Sequence, residues 1–223
     1  MIKYYPIELH SHTIHSDGDF KVFELEKYMK KFGYKGAFLT DHNTTSGYSE
    51  VSDREFLFPG IEWSTFYGHL TILGEDKNLD FTLVDKNNLE EILINLKKKY
   101  NIVAGAAHPG IISGEICPGC DFTFNIKDWN NLDYIEISNG DDAYMVYWTE
   151  ESYKFWIDKL KKGVRIPAVS GRDLHRPNPY NSIFTLTMIG VENEFSKIEV
   201  IEGIRKGRTY ICLLYTSPSP RDS

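Results

Sequence analysis

Short apolar runs alternate with amphipathic stretches along most of the chain. Residues 4–9 (YYPIEL) read as a strand, and residues 22–32 (VFELEKYMKKF) place apolar side chains at helical spacing and stop at Gly33. Residues 36–40 (GAFLT) predict the next strand, followed by two further apolar runs, 56–63 (FLFPGIEW) and 69–74 (HLTILG). A helix is expected over 88–100 and a strand over 101–107; another strand follows at 132–138 and a long helix at 144–163. Strands at 165–171 and 183–190, a last helix at 196–207 and a short strand at 209–211 complete the pattern. Strand and helix in alternation predict repeated βα units and a mostly parallel sheet.

The polar residues that interrupt this pattern are concentrated at strand ends. All seven histidines lie in short motifs: His10, His12 and His15 in ELHSHTIHSDGD, His42 in LTDHN, His69 in YGHLTILG, His108 in AAHPG and His175 in SGRDLH. Asp17, Asp41, Glu62 and Asp173 stand in or beside the same segments. Neutral imidazole offers a lone pair near neutral pH, and mixed His and carboxylate donors suit Zn, Mn or Fe. His10 and His12 form an H-x-H pair, which strand alternation turns to one face, and the Ser16-Asp17-Gly18 turn can swing a carboxylate back toward them. Glu62 and Asp173 follow apolar strands, where a charge without a partner is expensive. Ligands from so many strand C-termini converge more easily in a closed (β/α) barrel than in an open doubly wound sheet.

Composition narrows the picture further. A chain of 223 residues with 41% hydrophobic and 26% charged residues fits one globular domain with a large core. The net charge of -7 disfavours an extended nucleic-acid surface but leaves a small phosphorylated substrate open. No stretch reaches the roughly 18 apolar residues of a membrane span, the start of the chain leaves no room for a signal peptide, and three cysteines make no disulfide framework. A cytoplasmic protein is the expectation. Residues 213–223 (LLYTSPSPRDS) lack periodicity and resemble translated vector sequence or a disordered tail, so the domain is taken as 1–212.

Taken in order, HSHTIHSDG, TDHN, GIEW with GHLTILG, AHPG and SGRDLH resemble the successive motifs of the PHP (polymerase and histidinol phosphatase) metallohydrolases. The match spans roughly residues 7 to 211 and looks closest to stand-alone phosphoesterases and to carbamate and ester hydrolases. It implies a distorted (β/α)7 barrel and two to three divalent metal ions, Zn, Mn or Fe, at the strand C-termini. By that resemblance His10, His12, Glu62 and Asp173 would hold a first metal. Glu62 would bridge to a second, also held by His69 and His108. Asp17, His42 and His175 would hold a third. Adjacent cations can activate a shared water to hydroxide and stabilise a leaving oxygen, so Glu62 and Asp173 are placed in the catalytic set.

Other residues stay open at this level. Asp41 either orients an imidazole or serves as a helix cap or Asx turn. His15 is a candidate substrate contact or general acid, with an exposed loop histidine as the alternative. Arg172 could clamp an anionic group bidentately or pair with an acidic neighbour; Arg176 is a weaker candidate of the same kind. Cys117 and Cys120, in CPGC, read as reduced loop cysteines, with half a zinc site or redox chemistry as alternatives. The aromatics of 144–163 (Tyr144, Tyr147, Trp148, Phe155, Trp156) read as a core face. The expected activity is hydrolysis of a small phosphodiester or phosphomonoester. Carboxylester or carbamate hydrolysis on the same site, a non-catalytic metal-binding domain and a thiol redox protein are the competing classes. Oligomeric state has no signature in the sequence.

Overall fold

The computed structural model describes residues 1–115, 119–140, 146–177 and 184–214. Among these, nine strands and four α-helices alternate: β1 (Lys3–Glu8), α1 (Val22–Lys31), β2 (Gly36–Leu39), β3 (Leu57–Thr65), β4 (Gly68–Leu73), α2 (Leu89–Lys99), β5 (Val103–Ala106), β6 (Tyr134–Asn139), α3 (Val146–Lys161), β7 (Ala168–Gly171), β8 (Phe184–Val191), α4 (Lys197–Arg205) and β9 (Thr209–Leu214). The helices fall where helical periodicity predicts them. Acidic residues in the first turn and lysines in the last turn of α2 complement its dipole.

The strands form one sheet in the order β7-β6-β5-β4-β3-β2-β1-β8-β9. β1, β2 and β3 run parallel, as do β5, β6 and β7. The expectation of a mostly parallel sheet needs correction at two places. β4 returns from β3 as a hairpin and is antiparallel to both β3 and β5. β8 is antiparallel to β1, and β9 to β8. The physical reason at β4 is the two-residue link Phe66-Tyr67, too short for a helical crossover.

The sheet curls until β7 meets β8. Hydroxyl groups seal that seam: Thr187 Oγ1 accepts from the Ser170 N–H and donates to the Ser170 carbonyl, each at 2.8 Å. Thr209 Oγ1 donates to the Ala168 carbonyl at 3.1 Å. The result is a nearly closed barrel, the distorted PHP-type architecture expected. One core cluster joins Ile7, Phe38, Phe58, Val103, Val169 and Ile189 to Val200, Ile201 and Ile204 of α4. A second packs α1 on the sheet, and a third carries α2 and part of α3. Phe155 and Trp156 belong to the last, in line with a core face. Tyr144 and the side chains of Tyr147 and Trp148 lie outside the described residues, as do Cys117 and residues 215–223. Among the described residues no helix is long and apolar enough to cross a membrane.

Candidate metal centre

β1 ends at Glu8, so His10 and His12 sit just beyond it on extended chain. Ser11 between them is tied on both sides. It bridges in parallel to Leu174, and its carbonyl accepts from the Thr40 N–H at 2.9 Å. The Ser11 hydroxyl donates away from the site, to the Phe38 carbonyl. Sheet alternation is thereby prolonged, and both imidazoles turn inward. Glu62 stands within β3, bridged in parallel to His42 just past β2. His69 comes from β4, His108 follows β5, and Asp173 and His175 follow β7.

Asp17 arrives through a tight turn in which the Gly18 N–H donates to the Thr13 carbonyl at 3.0 Å. A Cβ at residue 18 would fall 2.6 Å from the His12 carbonyl carbon, so only glycine allows this approach. Asp41 braces the same loop. It accepts from the Thr13 N–H (2.7 Å) and from the Thr13 and Ser16 hydroxyls (2.8 Å each). It therefore holds the loop that carries His12 and Asp17 and contacts that backbone directly.

All nine candidate ligands converge into three groups of close donor atoms: His10, His12, Glu62 and Asp173; Glu62, His69 and His108; and His12, Asp17, His42 and His175. Glu62 divides its two oxygens between neighbours. Oε1 lies 3.0 Å from His69 Nδ1 and 3.1 Å from His108 Nε2, while Oε2 lies 2.9 Å from His42 Nδ1 and 3.2 Å from His10 Nε2. His12 faces Asp173 through Nε2 (2.9 Å) and Asp17 through Nδ1 (3.8 Å).

Electrostatics makes this a well for positive charge. Burial alone would raise Glu62, but His10, His42 and His108 carry it well below the usual carboxylate range. Asp173 is likewise driven well down, against its burial, by His10 and His12. His42 is pushed up to about 9, since Glu62 and Asp17 outweigh the opposing effect of burial. His12 is lowered, chiefly by burial. Among the described residues, buried His10 Nε2, His12 Nε2, Glu62 Oε2, His108 Nδ1 and Asp173 Oδ1 crowd against one another without making a well-aligned hydrogen bond. Several unsatisfied lone pairs facing one another in a buried space are costly unless a cation joins them, so this donor set fits divalent metals. Exposure is graded across the cluster: the His10, His12 and Glu62 side chains are fully buried, His42 is 26% and Asp17 57% exposed. The open side is the Asp17, His42 and His175 group.

Among the described residues three non-glycine positions have positive φ, all in or beside the site: Asn43 (φ 54), next to His42, His108 (φ 31) and Asp173 (φ 49). Such strain is maintained by surrounding structure and concentrates at functional sites.

The structure places Arg172 away from this cluster. Its side chain is 1% exposed, with its guanidinium over the rings of Phe184 (4.1 Å), Tyr28 and Phe32 (5.5 Å each). It occupies the layer between α1 and the sheet, which corrects the expectation of a substrate clamp. Arg176 is exposed. His15 bonds Ser46 Oγ (2.9 Å) and Glu50 (3.0 Å) at the surface and joins none of the three groups. Cys120 is buried and disulfide-bonded, unlike the reduced thiol expected.

Three residues at the site escape the motif reading. Ser64 Oγ lies 2.5 Å from His42 Nδ1. Glu136 Oε2 lies 2.9 Å from His10 Nδ1. Glu8 is buried beneath the strand ends and accepts from the His10, Leu9 and Arg172 N–H groups and the Tyr34 hydroxyl. A carboxylate inside a buried strand is itself the signal, because it demands partners.

No protein-family profile matches the chain, and no curated protein does either. Solved structures share its fold. A two-domain protein from Bacteroides vulgatus, containing a predicted PHP-like metal-dependent phosphoesterase, aligns with TM-score 0.71 at 17% identity, over 95% of this chain and 65% of that one. The lesion-specific endonuclease Q of Pyrococcus furiosus aligns with TM-score 0.58 at 16% identity, over 94% of this chain and 58% of that one. An amidohydrolase from Chromobacterium violaceum aligns with TM-score 0.52 at 16% identity, over 97% and 99%. The chain thus spans less than two thirds of the first and second of these proteins. The fold is that of PHP-like metal-dependent phosphoesterases, in agreement with the motif resemblance.

Proposed function

We propose that this protein is a metal-dependent hydrolase of phosphoesters. The observation that carries the reading is the membership of Glu62 in two adjacent donor groups, one carboxylate oxygen to each set of imidazoles, which would set two cation positions side by side. Divalent ions held there would lower the pKa of water and neutralise charge on a leaving oxygen. His10, His12, Glu62 and Asp173 would hold one ion, Glu62, His69 and His108 another, and Asp17, His42 and His175 a third. The chain's own part is positional. Glu62 would span two positions, Asp41 fixes the loop bearing Asp17, and Ser64 orients His42 through a hydrogen bond at Nδ1. Substrate would approach across the partly exposed Asp17, His42 and His175.

The predicted phosphoesterase and the endonuclease among the fold relatives support phosphorus as the reacting centre, and the endonuclease keeps a nucleic-acid phosphodiester among the candidate substrates despite the acidic net charge. The amidohydrolase favours a second reading, attack on a carbonyl at the same centre. Protein reconstituted separately with Zn, Mn and Fe should be offered an aryl phosphodiester, an aryl phosphomonoester, an abasic-site oligonucleotide and an aryl ester. Turnover of any phosphoester, abolished by chelation, is the expected result. Hydrolysis of the aryl ester alone would move the assignment to the second reading.

A further inference from the structure

His10 differs from the other buried histidines in what stands behind it. Its Nε2 faces Glu62 (3.2 Å) and Asp173 (3.4 Å), whereas its Nδ1 lies 2.9 Å from Oε2 of Glu136, a buried carboxylate on β6. Glu136 belongs to none of the three donor groups. Its other oxygen, Oε1, accepts from Asn139 Nδ2 at 2.5 Å. The assignment of the Asn139 amide follows from chemistry, because a carboxylate only accepts and the asparagine must present its NH2. Glycine at 171 makes room for this chain of contacts. A Cβ there would lie 2.7 Å from His10 Cβ, 3.0 Å from Glu136 Cδ and 3.1 Å from Glu136 Oε2. The β6–β7 ladder shifts register directly after Glu136, a bulge that re-aims the strand at this point.

We propose that Asn139 and Glu136 form a relay that fixes the tautomer of His10, keeping its proton on Nδ1 and its Nε2 lone pair turned toward the cation position. The inference deepens the metal reading and rests on it. Glu136 is a positioning residue, since it acts only through His10. A carboxylate behind a ligating imidazole sets ring orientation and strengthens the imidazole as a donor, and its loss typically costs about 10–100-fold in metal affinity.

The relay makes an unusual demand on E136Q. E136Q removes the carboxylate charge behind His10, and with Asn139 keeping its NH2 toward residue 136 the new amide turns its oxygen to Asn139 and its own NH2 to His10 Nδ1. That arrangement favours the proton on Nε2, the nitrogen that should ligate. Changing Asn139 to aspartate reverses the demand: in E136Q/N139D the glutamine NH2 faces the introduced carboxylate, and its oxygen accepts from His10 Nδ1 again. A residue needed only for packing would not be rescued in this way.

Zn²⁺ titration against a competing chelator, with the wild type, E136Q and E136Q/N139D, tests the relay. The expected result is that one class of bound zinc weakens by about 10–100-fold in E136Q, and that the double variant regains most of that loss. Because His10 serves one group only, the Glu62, His69 and His108 position should keep its affinity in both variants. Unchanged zinc binding in E136Q, or equal weakening in single and double variants, would overturn the relay while leaving the metal reading intact. Wild-type protein that takes up no zinc, manganese or iron would overturn both. Imidazole ¹⁵N NMR on the zinc-loaded wild type supplies a check that needs no variant. His10 should carry its proton on Nδ1; a proton on Nε2 would refute the relay.

Discussion

Asp173 Oδ1 lies 2.9 Å from His12 Nε2, and it reaches that point from left-handed backbone at φ 49. Aspartate and asparagine tolerate this conformation because their short polar side chains bond locally; alanine does not. Charge and backbone can therefore be separated. Asp173→Asn and Asp173→Ala both remove the carboxylate and should both weaken metal uptake at the His10, His12 and Glu62 position. Alanine should additionally cost about 1–2 kcal/mol of folding stability relative to asparagine. Urea unfolding in chelator measures the difference, and equal stabilities would mean that the observed φ stores no strain.

Glu62 is the residue whose loss should be felt in two places. Each of its oxygens faces a different set of imidazoles, and it belongs to two of the three donor groups. Glu62→Gln should reduce bound metal at both of those positions together, leave the His12, Asp17, His42 and His175 group closest to wild type, and abolish turnover. Elemental analysis of metal per chain, beside a phosphoester assay, tests this. Wild-type activity in the variant would remove the shared-carboxylate account.

The convergence of the candidate ligands is legible because imidazoles and carboxylates are chemically conspicuous where an apolar strand ends, and all nine candidates come together in the structure. Helices were legible through their period. What the reading missed was relational. Antiparallel β4 and β8 depend on link length and on which edges meet, and neither shows in periodicity. Arg172 immediately precedes the candidate ligand Asp173, yet its side chain goes to the α1 layer. Glu136 and Glu8 lie outside the histidine motifs, yet as carboxylates in buried strands they need partners as much as Glu62 does.

Acid and base should act on the metal-free protein with opposite signs. His42 keeps its proton to about 9 in the folded chain against 6.5 for an ordinary imidazole: burial opposes the proton, and the charges of Glu62 and Asp17 overcome it. That contribution to stability is complete below about 6.5 and is lost as pH rises through about 9. Glu62, held well below 4.5, contributes above that value and loses its contribution as pH falls. In chelator, Tm should therefore decline from about pH 6.5 to about pH 9. Over the same interval metal affinity should rise, since ligating imidazoles must shed their protons. Melting curves with and without Zn²⁺ across this range test both halves. A Tm in chelator that holds level or climbs would contradict the charge arrangement.

Arg172 should behave as part of the fold. Burial raises the pKa of Glu8, and the charge of Arg172 is among the influences that pull it back down. Removing the guanidinium would leave that carboxylate with less compensation and open a space between Phe184, Tyr28 and Phe32. Breaking a buried charge arrangement of this kind costs on the order of 3 kcal/mol. Methionine would refill the apolar volume but not the charge, so Arg172→Met should be destabilised, and less so than Arg172→Ala. An arginine that gripped substrate would show a different signature, a rise in KM for anionic esters greater than for neutral ones. The expectation here is a lower Tm with KM unchanged for both substrate types. A selective KM increase in a variant of near-normal Tm would return Arg172 to the substrate site.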